Sequence, residues 1–299
     1  MFILLSSLLG DTTILVASIK YKAFKLQRCV VTIIQHIAVC DLLLVVSYIL
    51  PCIVSLIANS WILGPAMCYV NLYVSYYAIT VCPFLIATMT TSKILLVKYP
   101  LRAGFWLKRN IQRVCTSVWI LSLFGTLAFL FIDRGDVSFD FRTYNCMYGF
   151  SSGTWKSFQP VCALLLGITP NATIIVTTIM LLVKARQIVQ GNLRWQGIIT
   201  VLLTASVYCF SFILFTVYHI IEPIMKENLP ERDPFHTYFF RVAWIFLSFN
   251  IIANFFIYSL AVDSFKGFLM SKLRMITPDF SKIRPSQGIC GCFSYFHRY

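Results

Sequence analysis

Leu42-Leu43-Leu44-Val45-Val46-Ser47-Tyr48-Ile49-Leu50-Pro51 opens a stretch, 42–92, that carries no charged side chain. A membrane-spanning helix needs about 20 mostly apolar residues, so this stretch is too long for one crossing. Its middle reads Asn59-Ser60-Trp61-Ile62-Leu63-Gly64-Pro65, a cluster of turn formers that divides it into two helices. Outward from it lie four more uncharged runs, at 114–132, 157–183, 195–221 and 242–262. An apolar segment at 2–19 completes a set of seven. Short alternating strands, the mark of a membrane β-barrel, are absent from the pattern.

Composition agrees with a bilayer protein. Hydrophobic residues make up 59% and charged residues 12%, about half the charge that covers a soluble domain. Disorder, collagen and coiled coil are excluded on the same grounds. The net charge of +14 does not indicate a nucleic-acid partner, because its placement is topological. Counting alternate loops from the one after the first helix, one side with the tail holds 19 of the 25 basic residues. The other side holds seven of the eleven acids, from Asp133 to Asp233. Positive-inside logic puts the N-terminus outside and the C-terminal tail in the cytosol. The short start before the first helix reads as an incomplete gene model. Asn171-Ala172-Thr173 matches a glycosylation triplet but falls inside a helix, out of a transferase's reach. Eleven cysteines spread through apolar segments do not form a secreted disulfide framework.

Several motifs then fall in order along these helices. The second reads His36-Ile37-Ala38-Val39-Cys40-Asp41-Leu42, near N-L-A-x-x-D-L. Trp61-Ile62-Leu63-Gly64 is followed by Cys68, and Pro100-Leu101-Arg102, Trp119 and Pro170 follow on. Cys209-Phe210 stands where C-W-x-P is expected, and Asn254-Phe255-Phe256-Ile257-Tyr258 where N-P-x-x-Y is expected. In this order the chain resembles the rhodopsin-like (class A) G-protein-coupled receptors over nearly its whole length. The expected fold is an all-α membrane protein, a seven-transmembrane helix bundle with a short amphipathic helix eight. Its helices are expected at about 2–19, 31–58, 66–97, 112–132, 157–184, 196–221 and 237–262. Helix eight is expected at 263–273, which closes a receptor domain over 1–273 and leaves a cytoplasmic tail at 274–299.

The resemblance implies roles for particular residues. Cys68 and Cys146, both on the oxidising side, correspond to an extracellular disulfide. Asp41, Asn250 and Asn254 correspond to a sodium site, with the thiol of Cys82 in place of a hydroxyl. Asp11, where the family has asparagine, adds a second acid. A carboxylate at this depth costs about 2.5–3.5 kcal/mol and must face the bundle interior. Two acids so close would share a cation or a proton, and a purely structural carboxyl is the alternative. The D-R-Y motif is replaced by Ser92-Lys93-Ile94. Lys93 keeps a cation for a G protein without arginine's bidentate geometry, and Tyr258 belongs to the same cytosolic face. Thr178 replaces a tyrosine, and Phe212 and Phe255 stand for two prolines.

The corresponding ligand pocket is lined by Ser75, Tyr76, Ile79, Cys162, Phe210, Ile213, Leu214, Val217, Trp244 and Ser248. Ser75 offers no counter-ion for an amine, and Ser248 no lysine for retinal. A lipophilic small molecule or a peptide's apolar side chains fit such a lining, with Phe210 at the floor as a packing switch. Cys290 and Cys292, after a basic stretch, are candidates for palmitoylation. The chain shows no catalytic motif, and its four histidines lie far apart. The implied function is a plasma-membrane receptor that carries an extracellular signal to a heterotrimeric G protein, with no cofactor beyond a sodium ion. A non-signalling relative is the first alternative, because of the altered cytosolic motif. An ion-coupled transporter is the second, because of the paired acids.

Overall fold

The computed structural model describes residues 2–20, 28–132, 137–140, 144–148, 167–188, 195–228 and 234–276. These are almost entirely helical. In chain order they form α1 (Phe2–Lys20), α2 (Arg28–Leu44), a π-helical turn (Val45–Ile49) and α3 (Leu50–Ala58). There follow α4 (Gly64–Lys98), α5 (Pro100–Ile132), the strands β1 (Val137–Asp140) and β2 (Asn145–Tyr148), and α6 (Thr169–Ile188). The last three are α7 (Trp195–Asn228), α8 (Pro234–Ala261) and α9 (Asp263–Ile276). Four continuous stretches among the described residues are long and apolar enough to cross a membrane: Arg28–Ala58, Gly64–Lys98, Gly197–Val217 and Arg241–Ala261. Leu4–Ile19 and Thr169–Lys184 are shorter apolar helices.

The turn that splits the uncharged stretch has a local cause. Asn59 ends α3 in the left-handed region at φ 49°, and Gly64 takes φ +79°, conformations that asparagine and glycine reach at low cost. The Trp61 indole N–H closes the loop by donating to the Gly64 carbonyl at 2.7 Å. Pro65 then sits in the first turn of α4, where its missing N–H costs nothing. At the other end, Pro100 starts α5 directly after Tyr99. This helix begins well before residue 112, where its apolar run starts. No breaker separates the basic segment from the span, and Leu107, Ile111 and Cys115 carry one buried stripe across the boundary.

α4 is the central rod and packs against α2, α5, α6 and α7. α1 touches α2 and α8, and α8 touches α7, which closes the bundle. The core is aliphatic in the middle, with Ile33, Ile37, Leu85, Ile86 and Met89 buried. β1 and β2 pair antiparallel with Phe139 opposite Cys146, a hairpin outside the expected set of elements. α9 turns off α8 through Val262, and its buried Phe265 packs edge-on against Phe255 at 6.2 Å. Cys162, Cys290 and Cys292 lie outside the described residues.

Candidate functional site

Three helices deliver polar side chains to one point in the bundle. On α1 the buried positions Ser7, Asp11, Ile14 and Ser18 recur at helical spacing, so Asp11 faces inward. Asp41 projects from α2, and Asn250 and Asn254, one turn apart, from α8. Asp11 is 1% and Asp41 0% exposed. The Asn254 amide donates to one Asp41 carboxylate oxygen at 2.7 Å. Asp11 lies within electrostatic reach of Asp41. Among the described residues, both Asp11 oxygens, the second Asp41 oxygen and the side-chain carbonyls of Asn250 and Asn254 have no hydrogen-bond partner. Buried acceptors without donors are costly, and a proton or a cation is the kind of group that would satisfy them. The donors are all hard oxygens, the type that suits a small hard cation. Cys82, beside Cys40, is buried next to the pair and adds only a thiol. Among the described residues no three His, Cys, Asp or Glu side chains converge on a common point.

The helices reach this point through a close approach. A Cβ added at Gly10 would lie 3.0 Å from the Phe255 Cβ and 3.2 Å from its Cγ. Glycine lets α1 meet α8 here without pushing Phe255 aside, next to both Asp11 and Asn254. Phe255, where the resemblance expects proline, fills that contact.

The opposite, extracellular-type end is built differently. Cys68 at the top of α4 is joined to Cys146 of β2, with Cα atoms 5.4 Å apart. In the π-helical turn after α2 two backbone carbonyls accept side-chain donors, and Pro51 leaves the first of them without its N–H partner one turn on. The Asn71 amide of α4 donates to the Ser47 carbonyl, and the Asn145 amide of β2 donates to the Tyr48 carbonyl at 3.4 Å. Ser75 also bonds the Ser47 hydroxyl at 3.2 Å. Tyr48 stacks on Trp244 of α8 with centroids 3.9 Å apart and planes 8° apart, and Phe215 of α7 meets the same indole edge-on at 5.1 Å. Ser47, Tyr48, Asn71 and Phe215 were absent from the expected pocket. The π turn placed the first two, and no short motif announces one.

On α7 the expected pocket register is corrected. Phe210 is 63% exposed, and Ile213 and Val217 share its exposed stripe, whereas Phe212 is 4% exposed. Two residues along a helix rotate about 200°, so alignment on Cys209-Phe210 turns the wrong face inward. The inward aromatic row is Tyr208, stacked on Phe212 at 5.0 Å, then Phe215. Phe210 instead meets Phe246 at 5.3 Å and is not the floor of a pocket. Ser75 and Ile79 are buried, and Tyr76, Leu214, Trp244 and Ser248 are partly buried. Ser248 bonds the Trp244 carbonyl in its own helix at 2.9 Å.

At the cytosolic-type end of α4, Ser92, Lys93 and Ile94 are all buried, with Lys93 only 5% exposed and within electrostatic reach of Cys29 at the start of α2. Tyr258 is also buried, close enough to Asp41 and Asp11 to interact with them. The expected open face of Ser92, Lys93, Ile94 and Tyr258 is therefore closed in this arrangement, because α4 and α8 turn these residues into the bundle. Thr178 has no bond from its hydroxyl among the described residues, and its neighbour Thr177 bonds Thr90 of α4 at 2.8 Å instead. Across the bundle, the Trp119 indole donates to His36 Nδ1 at 3.1 Å, and the Tyr77 hydroxyl to the Trp119 carbonyl at 3.0 Å. These bonds join α2, α4 and α5. Asn171 is buried and donates to the Gly167 carbonyl at 2.7 Å, which leaves its amide unavailable to a transferase.

Comparison with known proteins fits this geometry. Residues 12–258 match the model of the 7 transmembrane receptor (rhodopsin family). The chain is similar to lysophosphatidic acid receptor 6 of Gallus gallus, 21% identical over 68% of this chain and 69% of that receptor. It is also similar to proteinase-activated receptor 1 of Xenopus laevis, 25% identical over 37% of this chain and 26% of that receptor.

Proposed function

We propose that this chain, which belongs to the rhodopsin family of seven-transmembrane receptors, binds a lipophilic extracellular ligand and passes the signal to a heterotrimeric G protein. The family and the apolar helices make it a multi-pass plasma-membrane protein. In this reading seven segments cross the bilayer, the N-terminus lies outside, and α9 lies along the inner surface as helix eight. The observation that carries the reading is the under-satisfied cluster of Asp11, Asp41, Asn250 and Asn254. A polar centre joining α1, α2 and α8 beside Tyr258 has two ways to be completed, and each suits a different helix arrangement. Ligand shifts the balance only through its differential affinity for the two. A sodium ion or a shared proton holds the resting one. Asp41→Asn should abolish any sodium-dependent gain in thermal stability of the purified protein. Wild-type protein indifferent to sodium would assign the site to a proton.

The ligand's chemistry follows from the mouth of the bundle. Arg241 is exposed on α8, on the same helical face as Trp244 and Ser248 below it. A cation above an aromatic and aliphatic lining suits an amphiphile with an anionic head. The name of the Gallus gallus relative points to the same chemistry, so lysophosphatidic acid is the first ligand to test. The decisive assay is ligand-driven nucleotide exchange on purified heterotrimers of several classes. Arg241→Ala should raise the ligand concentration needed about ten-fold.

The buried Lys93 and the missing acid at Ser92 favour a second reading, a relative that binds ligand without activating a G protein. Ser92→Asp combined with Lys93→Arg separates the two. A signalling receptor should lose basal exchange and keep its ligand response. A silent one should gain coupling. No change in either, at equal surface expression, would remove these positions from the mechanism.

A further inference from the structure

The segment that begins α5 is helical and exposed on a face that no other element among the described residues covers. Phe105 is 75% and Trp106 52% exposed, and Arg109 and Arg113 are exposed one turn apart. Helical spacing puts Trp106, Arg109 and Arg113 on one side, opposite the buried stripe of Leu107, Ile111 and Cys115. The same side continues upward as Ser117, Ile120 and Phe124, all exposed. In a bilayer that upper part can face only acyl chains. The arginines below it therefore face the headgroup layer, away from the bundle axis on which a protein partner would act. Counting about 20 residues back from Ile132 puts the edge of the hydrocarbon near residue 112. Arg109 and Arg113 then lie within about 5 Å of that edge, at 1.5 Å per residue. Among the described residues no acidic side chain pairs with either arginine.

We propose that Trp106, Arg109 and Arg113 form a binding site for a phosphate-bearing anionic phospholipid of the inner leaflet. The two guanidinium groups take the headgroup phosphate by paired, charge-assisted hydrogen bonds. Trp106 seats at the interface where its amphipathic ring is most stable, and the acyl chains lie along Ile120 and Phe124. Arginine is the suited residue because its planar fork fits phosphate oxygens, while Lys108, on a different face, offers only a diffuse charge. The proposal takes its inner-leaflet assignment from the receptor reading above, but binding itself does not depend on signalling.

The test uses the full chain in nanodiscs of phosphatidylcholine doped with phosphatidylinositol bisphosphate, so that both leaflets carry the probe. Lipid retained by the protein after extraction is counted by native mass spectrometry. Arg109→Ala with Arg113→Ala should reduce retention at least about ten-fold. The charge-matched pair Arg28→Ala with Lys108→Ala, on another helix and another face, should change it less than about two-fold. Equal losses in both pairs would reduce the effect to diffuse charge and overturn the site. Undiminished retention in the first pair, with nucleotide exchange lost in phosphatidylcholine alone, would overturn it in favour of a protein-docking face. A C-terminal tag found outside the cell would sink the topology and leave the nanodisc result standing.

Discussion

Two levels of the continuous span Arg28–Ala58 handle buried polarity in opposite ways. In the π turn Ser47 takes Asn71 and Ser75, Tyr48 takes Asn145, and the disulfide pins β2 over α4. Two turns lower, Asp41 has one bond and Asp11 has none among the described residues. A satisfied network rigidifies, whereas an unsatisfied one stores a demand that a bound proton or ion can meet. The contrast separates scaffold from switch within one helix. Substitutions above should therefore cost stability, and the right substitution below should add it.

The largest effect is expected at the disulfide. Cys68→Ser should lower stability by about 2–4 kcal/mol and cut surface expression sharply. A non-reduced digest with Cys68 alkylated in the native protein would break the scaffold half of the comparison. Asn71→Ala should follow, at about 1–3 kcal/mol, because the buried Ser47 carbonyl loses its donor. Thermal unfolding in detergent would show it, and an unchanged midpoint would mean the π turn is held by something else. Gly10→Ala should cost about 1–3 kcal/mol by overpacking against Phe255. Phe255→Leu in the same chain should recover part of the loss, and an additive loss would refute the close contact. The smallest and most telling change is Asp11→Asn. Its amide can donate to the second Asp41 oxygen, so stability should rise by about 1 kcal/mol. Any sodium or pH response of the native protein should shrink with it. A destabilised Asp11→Asn variant would erase the distinction between the two regions.

The spans were legible because charge-free length is a strong signal in a bilayer, where backbone groups leave few alternatives to helix. Asp41 was legible for the same reason, since a carboxylate at membrane depth has few places to go, whereas Asn254, Cys68 and Cys146 were legible through the family resemblance. The pocket was legible only in part. Phe210 and Phe212 are equally aromatic and two residues apart, and hydrophobicity alone cannot say which faces in when both lipid and core are apolar. The Ser92-Lys93-Ile94 segment was assigned to a cytosolic face because it stands where the family has D-R-Y. Packing of α4 against α2 buried it.

What the amino-acid sequence determined by itself was the class of solvent, the long apolar stretches able to cross it and the residues too polar to meet lipid. Each follows from transfer energies that act residue by residue. Which face of α7 turns inward, how closely Gly10 lets α1 reach Phe255, which donors the carbonyls of the π turn take and which acceptors stay unmet were decided by the tertiary structure. These depend on helix rotation and close packing among distant segments, where a 200° turn or a 3.0 Å contact changes the outcome while the local composition stays the same.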